Sequence, residues 1–146
     1  MPRPAPWRLE PARYPHLQPV QTRFQDLDVL GHLNNVAFAA LFETARTKFN
    51  REAELWGREY SGRRAVVAAQ EIHYLAEGSY PEDVEVATGI GRVGDRSWTI
   101  LAAMFQHGRP IATCDVAIVM DKGEDERGMP DAFRARLKEL RVREDD

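Results

Sequence analysis

Between positions 36 and 56, Phe38, Phe42, Ala45, Phe49, Ala53 and Trp56 recur at spacings of three and four, the period of one face of an α-helix. Glu43, Lys48, Arg51, Glu54 and Arg58 fall mostly off that stripe, so the pattern predicts one long helix with a buried face and a wet one. Asn34 or Asn35 supplies its N-cap and Gly57 its stop. A different rhythm follows. Segments 65–75, 84–90, 97–106 and 111–120 are β-like runs separated by turn-formers at 78–81, 91–95 and 107–110. They predict four strands whose connections are short enough for antiparallel neighbours. Ahead of the helix, Val-Gln-Thr-Arg-Phe-Gln at 20–25 predicts a first strand. The prolines at 2, 4, 6, 11, 15 and 19 predict a draped arm before it, without regular helix or central strand. Residues 123–128 read as a charged loop, and 130–141 as a terminal helix started by Pro130. Strand, long helix and four strands make an α+β layout, one helix against one curved antiparallel sheet of about five strands. Such a sheet has open edges, and two copies pairing edge to edge would remove two of them, so at least a dimer is expected.

Composition narrows the function classes. The 146 residues suit a single domain, 1–146, with an arm at 1–19 and a loop and helix at 123–146, and they leave no room for a second catalytic domain. Twenty basic residues against 23 acidic ones give a net charge of −3, with no general electrostatic reason for a nucleic-acid or anionic-membrane partner. The one cysteine, Cys114, cannot close an internal disulfide and fits a reducing compartment. The first fifteen residues lack the apolar core of a signal peptide, and the longest apolar run, 36–42, is too short to span a bilayer. The expectation is a cytoplasmic protein, with no membrane partner.

Candidate chemistry concentrates at 23–35, Arg-Phe-Gln-Asp-Leu-Asp-Val-Leu-Gly-His-Leu-Asn-Asn, just ahead of the helix. Asp28 there would lie on a loop feeding a helix N-terminus, where unpaired N–H groups favour negative charge. A carboxylate beside fixed donors suits thioester hydrolysis: one group attacks or activates water, the others hold the tetrahedral oxyanion. No metal and no cofactor are required. The sequence Asp26-x-Asp28-x-x-Gly31-His32-x-Asn34-Asn35, followed by Phe42-Glu43-x-x-Arg46, resembles the 4-hydroxybenzoyl-CoA thioesterase branch of the hotdog superfamily. The resemblance spans roughly 20–122, because Ile72-His73-Tyr74 and Tyr80-Pro81-Glu82-Asp83-Val84 also fall where that family has them.

That resemblance implies a hotdog fold, thioesters of CoA or acyl-carrier protein as substrates, no metal, and homodimers or homotetramers. It implies that Asp28 is catalytic and that the backbone N–H of Asn35 polarises the thioester carbonyl; His32 is a further catalytic candidate read from the residues themselves. Gly31, Asn34 and Ser97 complete the candidate set as substrate-binding positions. One departure stands out: Leu75-Ala76-Glu77-Gly78 replaces an Arg-Pro-like turn, so contacts to the pantetheine arm do not carry over. The Gly-His-x-Asn-Asn form tilts the substrate toward a fatty or small acyl group.

Each candidate has an ordinary alternative. Asp28 can be a loop aspartate in an Asx turn. Asp26 reads better as a loop brace. His32 can orient the thioester, bond Asp28 or tie loop carbonyls. Asn34 and Asn35 can be caps only. Glu43 is a second catalytic hypothesis, yet at i, i+3 it can simply pair with Arg46. Gly89-x-Gly91-x-x-Gly94 spells a dinucleotide fingerprint, but the β-formers after it predict a hairpin rather than the helix that motif needs. His16, His32, His73 and His107 have no metal-ligand spacing, and Cys114 reads as a core residue. Arg63, Arg64, Arg92, Arg96 and Arg109 can meet CoA phosphates or merely be solvated. The competing functional class is a hotdog domain that binds acyl-CoA without turnover, a sensor. A hydratase-like relative would want a carboxylate and histidine dyad at another spacing.

Overall fold

In a computed structural model, which describes residues 3–55, 63–122 and 128–144, the long stripe forms α1, Asn35–Glu52. Phe38, Leu41, Phe42, Ala45 and Phe49 are buried along it. The Asn34 side chain caps it, accepting from Ala37 N at 2.7 Å. Its end comes earlier than the periodicity predicts. Glu54 takes φ +59°, Leu55 N donates to Asn50 O and Glu54 N to Arg51 O, the two bonds of a Schellman stop. Leu55 is then fully buried. The sequence signal was missed because glycine usually fills the left-handed position; Trp56 and Gly57 lie outside the described residues.

Five strands form one antiparallel sheet: β1 His16–Val20, β2 Ala65–Tyr74, β3 Val84–Val93, β4 Ser97–Gln106 and β5 Arg109–Met120, in the order β1-β3-β4-β5-β2. This is the hotdog arrangement, α+β, with α1 against the sheet. Two expectations are corrected. The first strand is His16–Val20, not 20–25, so it lies in the proline-rich arm; Pro19 is tolerated because β1 is an edge strand. The connection at 78–81 does not join neighbours, because β2 pairs with β5, with Tyr74 opposite Ala112. The other two connections are hairpins, and the glycine run therefore turns into β4 rather than into a helix. His107 and Gly108, at φ 54° and 75°, make the two-residue turn between β4 and β5.

One face of the sheet holds the main core with α1: Val86, Ile90, Ile100, Met104, Cys114 and Val116. Its far end is closed by α2, Asp131–Glu139, whose Phe133 meets Trp98 edge-on at 5.1 Å. Pro130 is the residue before this helix rather than its first turn. The loop expected at 123–128 falls mainly outside the described residues.

The opposite face is covered by the arm. Short 3-10 turns at Pro6–Leu9 and Pro11–Arg13 carry Trp7, Arg8 and Tyr14 over Ala87, Ala103 and Phe105, where Val142 joins them. A Cβ at Gly89 would lie 2.7 Å from both Pro15 and Val142, so glycine there permits both terminal segments to cross β3. Burying one such aromatic side chain stabilises by about 2 kcal/mol. Edge strand β2, in contrast, leaves Val66 and Val67 about half exposed.

Candidate active site

The segment from Asp26 to Asn35 is a closed loop built on two aspartates used differently. Asp26 is buried and accepts from Arg23 N at 2.8 Å and from the Arg23 guanidinium at 2.8 and 3.2 Å. Its carbonyl also takes Asn34 N at 2.8 Å. It braces the loop where the helix begins. Leu27 and Leu33 bridge across the neck, Asp28 N donates to His32 O, and Gly31 N donates to Asp28 O. Gly31, at φ 81°, sits at the turn's fourth position, where glycine is favoured. Asp28 Oδ1 accepts from Leu30 N at 2.9 Å and His32 N at 3.2 Å. The Asx turn named above as the ordinary alternative is therefore present. It occupies Oδ1 and leaves Oδ2 with no hydrogen bond among the described residues, on an exposed side chain.

Hydrogen-bond accounting at the start of α1 is informative, because the first four N–H groups of a helix have no intrahelical partner. Asn34 N goes to Asp26 O, Ala37 N to Asn34 Oδ1 and Phe38 N to Asn34 O. The amides of Asn35 and Val36 remain without an acceptor among the described residues. Asn35 and Asp28 line one open cleft of about 470 Å³. Its floor is apolar: Leu33, Phe38 and Tyr74, the last two in edge-on contact at 5.2 Å.

His32 also lines the cleft, but its imidazole turns away from the Asp28 carboxylate and meets Glu77 Oε2 at 3.1 Å from Nε2. Only its backbone reaches Asp28. Glu77 was not among the candidate residues, although its segment had been singled out for departing from the family pattern. The segment is held rigidly opposite the loop. Leu33 N donates to Gly78 O at 2.9 Å, and a Cβ at Gly78 would lie 2.5 Å from Leu33 Cδ1. Buried Gln106 staples the next residues, accepting from Ser79 N and donating to Ser79 O and Glu82 O.

Three candidates are not brought to the cleft. Gly31 shapes the turn, and the Asn34 side-chain oxygen Oδ1 is occupied as the cap. Ser97 opens β4 opposite Val119, whereas Tyr74 at the cleft stands opposite Ala112, about 23 Å along β5 by strand rise. Glu43 is exposed, outside the cleft, with its carboxylate 3.6 Å from Arg46 Nη2. Cys114 is buried, and burial pushes its thiol up to about 12. That holds it neutral and leaves it no access to the cleft as a nucleophile. Among the described residues, no group of three or more His, Cys, Asp or Glu is arranged to hold a metal ion.

The fold and this loop define a class, and comparison with known proteins agrees. A sequence profile of the thioesterase-like superfamily matches residues 22–137, and the chain belongs to that superfamily. Its fold is similar to that of the PA5185 protein of Pseudomonas aeruginosa strain PAO1, with 27% identity, TM-score 0.75 and coverage of 90% of this chain and 94% of the other. It is similar to a thioesterase from Thermus thermophilus in complex with coenzyme A and Zn, with 28% identity, TM-score 0.74 and coverage of 89% and 97%. It also resembles a predicted thioesterase from Bacillus stearothermophilus, with 28% identity, TM-score 0.71 and coverage of 86% and 95%. Over 81 residues it is 30% identical to YsmA, an uncharacterised protein of Bacillus subtilis (strain 168), covering 56% of this chain and 54% of YsmA. The chain thus spans about half the length of that curated relative.

Proposed function

We propose that this protein hydrolyses acyl thioesters of CoA or acyl-carrier protein, with Asp28 as the reacting carboxylate and the Asn35 amide as oxyanion donor. The observation that carries this reading is the shared cleft: a carboxylate with one oxygen uncommitted and a helix-start N–H without an acceptor among the described residues line the same opening. A thioester carbonyl seated there meets a donor aimed at the charge that develops on its oxygen. Asp28 either attacks the carbonyl carbon, forming a mixed anhydride that water then cleaves, or takes a proton from the attacking water. In both routes the C–S bond breaks, the thiolate leaves and is protonated, and the acyl carbon gains the oxygen of water.

Asp28→Asn is the decisive variant, because asparagine keeps an acceptor for Leu30 N and His32 N and so preserves the turn. Thiol release from an acyl-CoA panel should fall by about 10³-fold, with Tm within about 2 °C of wild type. Turnover at the wild-type rate removes Asp28 from the chemistry. The Asx turn also favours a second reading, a module that binds acyl-CoA without cleaving it; acyl-CoA binding with no thiol release by the wild type identifies that case.

We further infer a homo-oligomer, at least a dimer, paired through β2. That edge is ten residues long, free of proline and lined by half-exposed valines, whereas β1 is five residues long and carries Pro19. Light scattering that returns a single-chain mass at micromolar concentration sinks this inference.

A further inference from the structure

When a carboxylate attacks a thioester, the tetrahedral intermediate carries two groups that can leave. A carboxylate is the conjugate base of an acid of pKa about 4 and an alkyl thiolate that of one of about 8.5. The intermediate therefore expels the carboxylate and reverts, unless its sulfur receives a proton. Among the described residues, the titratable side chains on the cleft wall are Asp28, His32, Tyr74 and Glu77. Asp28 is the attacking group. A phenol is, as a class, a weaker acid than an alkyl thiol, and Tyr74 lies edge-on against Phe38 in the floor. That leaves His32 as the donor and Glu77 as its neighbour.

His32 is tied at both ends. Its backbone belongs to the Asp28 turn: its N–H donates to Asp28 Oδ1 at 3.2 Å, and its carbonyl accepts from Asp28 N at 2.8 Å. Its ring reaches the facing segment, where Nε2 lies 3.1 Å from Glu77 Oε2. The residue after Glu77 is fastened to the same loop, since Gly78 O accepts from Leu33 N at 2.9 Å. Carboxylate and imidazole thus sit on one rigid neck. A carboxylate at one ring nitrogen fixes the orientation of the imidazole and leaves the other nitrogen for proton transfer. Nδ1 is that nitrogen, with no hydrogen-bond partner among the described residues.

On the hydrolytic reading above, in its nucleophilic branch, we propose that Glu77 is a positioning residue that holds the His32 imidazole as proton donor to the departing sulfur. Asp28 Oδ2 bonds to the carbonyl carbon, and the carbonyl electron pair moves to oxygen, beside the Asn35 N–H. As the C=O bond re-forms, the C–S bond breaks. Its electron pair stays on sulfur, which takes the Nδ1 proton of the doubly protonated imidazole. Water then adds to the acyl carbon, the Asp28 carboxylate leaves, and the proton lost by that water restores the imidazole. One thioester and one water give one acid and one thiol.

The test reads the dependence on the leaving group, which a merely structural role does not move. One acyl group is placed on two uncharged thiols: N-acetylcysteamine, an alkyl thiol, and thiophenol, whose thiolate leaves more readily without a proton. Neither substrate responds electrostatically to the loss of the Glu77 charge. On the alkyl thioester, kcat/KM, which covers the steps through thiol release, should fall about 10²-fold in His32→Gln and about tenfold in Glu77→Gln. On the aryl thioester both variants should stay within about twofold of wild type. Equal losses on the two thioesters overturn the proposal, because they mark a role in holding the loop. No loss on the alkyl thioester overturns it as well, as does a selective loss in Tyr74→Phe alone, which hands the proton to the phenol. A wild type that cleaves neither thioester takes this step down together with the hydrolytic reading. Wild-type turnover of both, with His32→Gln and Glu77→Gln unresponsive, overturns this step alone.

Discussion

The outer face of the sheet and the loop ahead of α1 are both rich in charge, and they spend it in opposite ways. On the outer face, Arg8 is buried and held through two of its guanidinium nitrogens: Nη2 meets Asp115 Oδ1 at 2.7 Å and Ala102 O at 3.2 Å, and Nε donates to the Tyr14 hydroxyl, which donates in turn to Arg8 O. Burial alone would depress the Arg8 guanidinium, yet the Asp115 hydrogen bond and Tyr14 hold it above its ordinary value. In the loop, the Asn35 and Val36 amides and one oxygen of Asp28 are uncommitted among the described residues. A satisfied network fixes structure, whereas an unsatisfied one at a cleft is available to a substrate.

That contrast predicts a double dissociation. Asp28→Asn should lose most of its turnover at nearly unchanged stability, as above. Arg8→Ala should do the reverse. It removes charge-assisted hydrogen bonds to Asp115 and Ala102, but Asp115 is 41% exposed and can recover water, so the loss is about 2–3 kcal/mol rather than the larger cost of a stranded buried charge. Thermal melting should show Tm lower by roughly 6–9 °C, with kcat per folded molecule retained. A large fall in kcat in that variant would couple the arm to the cleft and break the contrast.

Legibility from sequence follows the range of the interactions. The helical stripe and β4 are local patterns, and the structure reproduces them: Phe38, Phe42, Ala45 and Phe49 are buried, and β4 has the expected bounds. The loop was legible as a motif because Asp28 and Asn35 lie seven residues apart, in a loop that runs directly into a helix start. Asp26 as a brace and Asn34 as a cap followed from local chemistry. What escaped depends on partners distant in the chain. Pro19 is compatible with a strand only because β1 lies at the edge beside β3. The position of β2 beside β5 is a choice of the whole sheet. Glu77 enters the site because Gly78 and Gln106 hold its segment against Leu33, and no spacing within 23–35 encodes that. Ser97 lies away from the cleft for the same reason, since strand position alone does not say which end of the sheet meets the loop.

A third effect, that of alkaline pH, is also confined to the satisfied regions. Burial pushes the Cys114 thiol up to about 12 from 9.0, with nearby Arg46 and Arg8 pulling the other way and Asp115 adding to the rise. Burial likewise raises the Tyr14 hydroxyl above its ordinary value, against the pull of Arg8. For an acid raised on folding, the unfolded chain ionises first, so the native state holds the extra proton and stability falls as pH climbs. For Cys114 the fall begins near pH 9 and continues to about 12, at up to about 1.4 kcal/mol per pH unit. Tyr14 adds to it at higher pH. Denaturant unfolding at pH 8, 9, 10 and 11 should therefore show a steep alkaline decline in the wild type. Cys114→Ala starts lower by about 1–2 kcal/mol for its lost packing, but it should decline less steeply, because only the Tyr14 contribution remains. Parallel curves would mean that the thiol ionises in place, and the packed face of the molecule would then be less dry than its burial indicates.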